Sequence, residues 1–361
     1  AAWLVEGLFG ASAGGLKLRG HQAEALSVAM RASGVTNPVV TSGTGSGKTE
    51  SFLLPVLARL LLESREWPAV TGAAQPWWDS NPLRWRPVRQ ENRDAAVRTL
   101  VLYPTNALVE DQMSRLRRTA RRIHDAGGPR LWFGRYTSAA LGGTRMPPLT
   151  SKSPVVASVA EAMRELATEC DSLTTGSPDI VDFLSDPRRV ELLTRWDMVS
   201  TPPDILVTNY SMLNIMLMRE MEQPIFEKTK AWLDKDPANV FTLVVDELHL
   251  YRGTQGSEVA LILRNLLLRL GLAPDSAQLR VIGTSASLDS DSGEYLERFF
   301  GVPRDSFAQI SGSARTVDVA LPVDADRALA GVTEEPLDAI IAEACRDASG
   351  QTRATALRDI A

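Results

Sequence analysis

Short runs of aliphatic and β-branched residues recur along the chain, each closing on a glycine-rich or polar turn and followed by an apolar stretch at helical spacing. That alternation predicts strand and helix units of a parallel sheet. The predicted strands are 38–41, 99–103, 131–133, 204–208, 241–246 and 280–284. The run FTLVVDE at 241–247 is almost continuously apolar, as expected of a central strand covered by helices on both faces. Right-handed crossovers wind such units into an α/β doubly wound sheet, where ligands bind at the carboxyl ends of the strands. Residues at those ends are therefore the first place to look for chemistry.

Two segments break the alternation and read as insertions. Residues 66–97 place Trp67, Trp77, Trp78 and Trp85 among prolines and arginines, and residues 139–200 are mixed and loop-rich at both ends. The tryptophans are expected to pack into a small satellite core rather than stack bases or wedge a duplex. After about residue 289 the pattern changes to SGEYLERFF, a strand-like VDVAL and helical stretches near 334–347 and 352–360. Three parts follow: an N-terminal segment 1–34, a central domain 35–288, and 289–361 as a further segment or linker.

Composition narrows the class. With 361 residues, 44% hydrophobic and 23% charged, the chain can bury a large core. There is no apolar stretch of about 18 residues, and the opening AAWLVEGLFG lacks a signal-peptide pattern, so a cytoplasmic location is expected. Cys170 and Cys345 alone support neither a disulfide framework nor a cysteine zinc site. A net charge of −5 excludes a surface that grips nucleic acid all over, but says nothing of a local groove. Lysine makes up 6 of the 39 basic residues, which points to a GC-rich bacterial source. The first residue is not Met and Ala361 interrupts a helical run, so a fragment is expected.

The strand at 38–41 leads into VVTSGTGSGKT and then ESFLLPVLARLLL at helical spacing. Glycines let backbone amides turn inward around a triphosphate, the helix start adds a favourable dipole, Lys48 reaches the terminal phosphates, and the Thr49 hydroxyl can ligate Mg²⁺. The strict pattern wants glycine at 42, where this chain has Ser42, while Gly43, Gly45 and Gly47 remain. A phosphate loop alone fits kinases, GTPases and motors alike. The acids Asp246 and Glu247 at the end of the apolar strand discriminate: one sits near the cation, the other orients and deprotonates a water. No N-K-x-D guanine motif is present. Lys48 and the tips of Asp246 and Glu247 are expected to meet across neighbouring strands.

DELH at 246–249 resembles motif II of the superfamily 2 DEAD/DEAH-box helicases, and their other motifs follow in order. LRGHQ at 18–22 resembles the Q motif, SGTGSGKT motif I, YPTNAL at 103–108 motif Ia, VTNYSML at 207–213 motif Ib, and TSASL at 284–288 motif III with SAS for SAT. TGSGKTESF, HQAEAL and DELHLYRGTQGSEVA are similar to the RecQ-like branch that contains MrfA-type and Lhr-like helicases, and helicases of phage-defence (DISARM-type) systems. The resemblance implies a RecA-like lobe at 35–288 that binds ATP and Mg²⁺. It implies a nucleotide set of Arg19, Gln22, Thr44, Gly45, Ser46, Gly47, Lys48, Thr49 and Glu50, with Gln22 reading adenine and Arg19 stacking on it. Thr49 and Asp246 would serve the cation and Glu247 the water, with Lys48 completing the catalytic set. His249, Ser285 and Ser287 would couple the nucleotide to a nucleic-acid track at Thr105, Asn106, Thr208 and Asn209.

Arg115, Arg118 and Arg122 share a helical face that could grip phosphates or simply be solvated. The family's second lobe carries a Q-x-x-G-R-x-G-R motif, which this chain lacks. Arginine fingers contribute about three to five orders of magnitude to turnover. The chain alone is thus expected to bind ATP but turn it over slowly, as the ATP-binding lobe of a DNA-preferring helicase or translocase in repair or phage defence. A protein partner in such a complex is also expected. The alternative is a nucleotide-controlled, nucleic-acid-binding scaffold in a defence complex.

Overall fold

In the computed structural model of the protein, residues 2–10, 18–43, 47–68, 76–147, 153–176, 178–288 and 292–312 are described. Through them run α1 (Ala2–Phe9), α2 (Gly20–Ala29), β1 (Asn37–Thr41), α3 (Lys48–Glu63), β2 (Thr99–Tyr103), α4 (Asn106–Asp125), β3 (Phe133–Tyr136), α5 (Pro154–Gly176) and β4 (Glu191–Leu192). Then follow α6 (Arg195–Ser200), β5 (Ile205–Asn209), α7 (Tyr210–Met218), α8 (Gln223–Lys235), β6 (Phe241–Val245), α9 (Gly253–Leu270), β7 (Leu279–Ser285), α10 (Gly293–Phe300) and β8 (Phe307–Ser311).

The strands form one sheet in the order β4-β3-β5-β2-β6-β7-β1-β8, with every pairing parallel. Alternate residues of one strand feed opposite faces. Leu100, Leu102, Leu243, Val245 and Val281 join a core with the helices on one side, while Val101, Tyr103, Val244 and Ile282 join Phe52, Leu57 and Met113 on the other. Both faces are covered, so FTLVV reads as unbroken apolar sequence yet still obeys a period of two. This is the RecA-like doubly wound architecture.

Five of the six predicted strands lie within a residue or so of their expected bounds. The exception is 131–133, where the strand starts at Phe133 and continues through Gly134 to Tyr136. Gly134 does not end the strand; a Cβ there would lie 2.6 Å from Met198 Sδ, so the residue is small to admit α6. Two further strands escaped the pattern, β4 and β8, both at sheet edges where a short run needs little apolar sequence. The sheet continues past residue 288, the expected end of the central domain: β8 pairs with β1 from Asn37↔Phe307 to Thr41↔Ser311. VDVAL and the helical runs beyond it lie outside the described residues.

The tryptophans correct a second expectation. Trp77 and Trp78 are 2% exposed and belong to the main core cluster, not to a satellite, with Ala160 and Met163 of α5 in the same cluster. Trp85 packs edge-on against Trp196 at 6.3 Å between ring centroids. Arg93 lies over the Trp67 ring, 3.5 Å from its centroid. The two insertions thus complete one face of the sheet. No described helix is long and apolar enough to cross a membrane.

Candidate nucleotide and nucleic-acid site

Because the strands are parallel, Thr41, Tyr103, Asn209, Val245 and Ser285 all end at one edge. The phosphate loop and the acidic pair are not on adjacent strands as expected: β7 lies between β1 and β6. They meet nonetheless over it, Lys48 Nζ lying 3.2 Å from Glu247 Oε1 and 3.4 Å from Oε2. Gly283 helps to make this possible. It pairs with Val39 on one side and Val245 on the other, and a Cβ on it would lie 2.6 Å from Leu248 Cδ1, directly after the acidic pair.

Thr44, Gly45 and Ser46 lie outside the described residues. On either side, the loop is tied down. The Ser42 amide donates to the Ser285 carbonyl at 3.2 Å, joining motif I to motif III. Gly47 caps α3 at φ 80, a left-handed conformation suited to glycine. A Cβ at Gly47 would also lie 2.5 Å from Gln22 Nε2. Gln22 Nε2 donates to the Gly47 carbonyl at 3.2 Å, and Gln22 Oε1 accepts from the Arg19 amide at 3.0 Å. Gln22, expected to read adenine, is thus buried with its amide on the phosphate loop and on Arg19, and the exposed Arg19 stands at the start of α2. Lys48 and Thr49 open α3 at the positive end of its dipole.

Asp246 is buried, and both of its hydrogen bonds fall on Oδ1: one from the Glu247 amide at 2.9 Å, the other from the Thr284 hydroxyl. Burial pushes its carboxyl above the usual range, and the Thr284 bond opposes that. Thr284 was not singled out in the sequence; its signal was its place directly before the SAS motif, on the strand beside β6. Glu247 takes φ 55, the one non-glycine residue in the left-handed region among those described. Such a conformation is uncommon for glutamate and concentrates at functional sites. His249 Nδ1 accepts from the Ala286 amide at 3.4 Å and lies 3.3 Å from Glu247 Oε2, so it bridges the acidic pair to motif III. Ser285 is buried and donates to the Ser287 carbonyl at 2.9 Å, while Ser287 itself is exposed. Tyr295, also unforeseen, donates to the carbonyls of Leu248 and Tyr251 and braces the turn behind the acids.

At the expected track, Thr105 and Asn106 are exposed at the start of α4. Asn209 caps α7, accepting from the Met212 amide at 2.8 Å, and its Nδ2 donates to Asn106 Oδ1 at 2.5 Å. Motifs Ia and Ib thus touch. Thr208 does not belong with them: it is fully buried and donates to the Tyr136 carbonyl at 2.7 Å, so it stitches β5 to β3 instead of facing a track. Glu50 also departs from the nucleotide set, since its Oε1 accepts from Arg115 Nη1 at 2.8 Å. Arg118 is held by Asp182 at 3.2 Å, so two of the three arginines of that face, Arg115 and Arg118, are paired with carboxylates.

Residues 19–135 match the DEAD/DEAH box helicase family. The chain is 34% identical over 323 residues to Druantia protein DruE of Escherichia coli (strain UMEA 4076-1), a match covering 76% of this chain and 16% of that protein's length. Among solved structures, it is similar to the DUF1998 helicase MrfA bound to DNA and AMPPNP, at 20% identity and TM-score 0.48, covering 86% of this chain and 29% of MrfA. It is also similar to Mss116p bound to ssRNA and AMP-PNP, at 12% identity and TM-score 0.48, covering 82% and 40%. With six motifs in order, the sheet that gathers them at one edge and the family match over residues 19–135, the chain carries a DEAD/DEAH box helicase domain of superfamily 2.

Proposed function

We propose that this lobe binds ATP with Mg²⁺ and couples its hydrolysis to movement along or opening of nucleic acid, with DNA the favoured track. The observation that carries this reading is the contact of Lys48 with Glu247, directly beside the buried Asp246. One cation and two acids converge where a strand-loop-helix ends, which is the arrangement that phosphoryl transfer to water requires.

The residues fit a hydrated magnesium ion. Among the described residues both hydrogen bonds to Asp246 occupy Oδ1, which leaves Oδ2 as an acceptor for a metal-bound water, and Thr49 supplies a hydroxyl on the first turn of α3. An ion of this kind is held by one or two carboxylates together with a hydroxyl and the phosphates of the nucleotide. Bound there, magnesium would offset negative charge on the phosphates. Lys48 would leave Glu247 for the terminal phosphates, freeing the glutamate to orient and deprotonate water. His249 would report the change to motif III through Ala286.

The track reading rests on Thr105, Asn106 and Asn209, whose small polar groups suit phosphate and sugar contacts. A second lobe elsewhere in the protein would supply the charge that closes over ATP. The 34% identity to Druantia protein DruE and the likeness to defence helicases favour phage defence over repair as the setting.

ATP turnover by the full-length protein, measured alone, with single-stranded DNA and with RNA, tests this. Stimulation by nucleic acid is expected. Glu247→Gln should keep ATP binding and lose about a hundredfold or more in turnover. Turnover indifferent to both nucleic acids, or undiminished in Glu247→Gln, would leave the nucleotide-controlled scaffold as the better reading.

A further inference from the structure

Glu50 and Arg115 lie outside the roles just assigned, and they meet each other. Glu50 is the next residue after Thr49, on the first turn of α3. Its carboxylate accepts from Arg115 at 2.8 Å, with both side chains partly exposed. Arg115 stands on α4, the helix that Asn106 opens and Thr105 caps, and lies 3.8 Å from Asp111 one turn earlier. Under them Tyr103 ends β2 with its hydroxyl fully buried and, among the described residues, without a hydrogen-bond partner. The charges it feels come from Asp246, Asp111, Arg115 and Glu247. A single layer of side chains therefore joins the start of the phosphate-loop helix to the helix that presents motif Ia.

The physics of that layer depends on what the phosphate loop holds. A carboxylate on the first turn is favoured by the helix dipole. A triphosphate at the same terminus adds several like charges and repels it toward the available cation, Arg115. Loss of the terminal phosphate relaxes that push. Helix α4, with Asn106 bonded to Asn209, would feel the difference directly.

We propose that the Glu50–Arg115 pair is the strut through which the charge held in the phosphate loop is transmitted to the nucleic-acid track. Both are positioning residues, and neither touches the reacting atoms. The inference rests on the nucleotide and track reading above.

The test uses the full-length protein and follows the ratio of nucleic-acid-stimulated to basal ATP turnover. It also follows the affinity for a single-stranded oligonucleotide with and without a non-hydrolysable ATP analogue. Arg115→Met should keep its basal turnover while the stimulation ratio falls about fivefold or more, the scale of a typical coupling between sites. Glu50→Gln should lower the ratio similarly, and the double variant should be no worse than either single, because partners in one contact are not additive. Arg115→Lys, which keeps the charge, should recover most of the loss.

A stimulation ratio in Arg115→Met equal to the wild type overturns the proposal, as does simple additivity in the double variant. Equal loss of oligonucleotide affinity in every nucleotide state, with Glu50→Gln silent, also overturns it and makes Arg115 a plain phosphate contact. Should Arg115→Met fail to fold, Arg115→Gln, which also removes the charge, and Glu50→Gln carry the same cycle. A wild type that nucleic acid does not stimulate removes the motor reading and this inference together, whereas a stimulated wild type with unaffected variants removes this inference alone.

Discussion

The two ends of the sheet treat buried charge in opposite ways. At the amino ends of the strands, Asp204 is fully buried and ringed by Arg89, Arg93 and Arg98 at 3.3, 2.7 and 3.1 Å, while the Trp132 amide takes its other oxygen. Burial alone would raise its carboxyl, but the three guanidiniums hold it well below the usual range. At the carboxyl ends, among the described residues, Asp246 has one oxygen without a hydrogen bond and Glu247 pairs with Lys48, and the backbone at Glu247 is strained. A closed network fixes strands β2, β3 and β5 in place. An open one keeps its groups ready to change partners, which chemistry needs and stability does not.

The contrast predicts a ranking of effects on folding. Asp204→Asn leaves three buried arginines short of a full counter-charge, and should cost about 3–5 kcal/mol, the penalty of breaking a buried ion pair. Chemical denaturation would show it; a change below about 1 kcal/mol, the scale of an exposed pair, would mean that the ring is not a closed network.

Asp197 sharpens the point, because it is equally buried but has no cation beside it among the described residues. It accepts from Thr194 Oγ1 at 2.6 Å and the Val88 amide at 3.0 Å, and burial pushes it up to about 6, against those bonds. A raised acid binds its proton more tightly folded than unfolded, so its contribution to stability falls as pH rises from about 4, its unfolded value, toward 6. The size is about 3 kcal/mol at most, from a shift of roughly two units. Asp197→Asn should remove that slope. Unfolding midpoints of variant and wild type at pH 4.5 and 7 would check it, and parallel profiles would reject it. Asp204 has the opposite sign: its stabilisation is present above about pH 4 and fades as acid drives it toward its depressed value.

The difference between the two ends also explains what the sequence made legible. Central strands such as 99–103 and 241–245 were readable because both faces are covered, so every residue is buried and nearly all are apolar. Lys48 was readable from the loop after β1, and Asp246, Glu247 and His249 from the turn after β6, because within each strand-turn unit the spacing is fixed by the chemistry. Asp204 and its arginines gave no local signal, since the partners come from positions 89, 93 and 98 and are joined only by the fold. Thr208 misled for a related reason: its motif places it at a strand end, but only the neighbouring strand reveals that its hydroxyl is already taken by Tyr136. Glu50 sits inside a nucleotide motif yet answers to a residue 65 positions away.

Thr284→Val tests the open end with a near-isosteric change. It deletes the hydroxyl that donates to Asp246 and should cost about 1 kcal/mol of stability, a typical hydrogen bond. Because that bond opposes the rise caused by burial, its loss should move the acid limb of the turnover profile to higher pH. An unmoved acid limb would show that Thr284 does not set the charge of Asp246.

The smallest stability effect is expected where the functional effect is large. Glu247→Gly removes a side chain from a left-handed backbone that costs a non-glycine residue about 1–2 kcal/mol. Two losses work against that gain: glycine's greater freedom when unfolded, about 0.5–1 kcal/mol, and a partly exposed ion pair with Lys48 worth about 0–1 kcal/mol. These nearly cancel, so the variant should unfold within about 1 kcal/mol of the wild type while ATP turnover falls about a hundredfold or more. If instead it is destabilised as severely as Asp204→Asn, Glu247 belongs to the scaffold, and the division between a closed and an open end of the sheet does not hold.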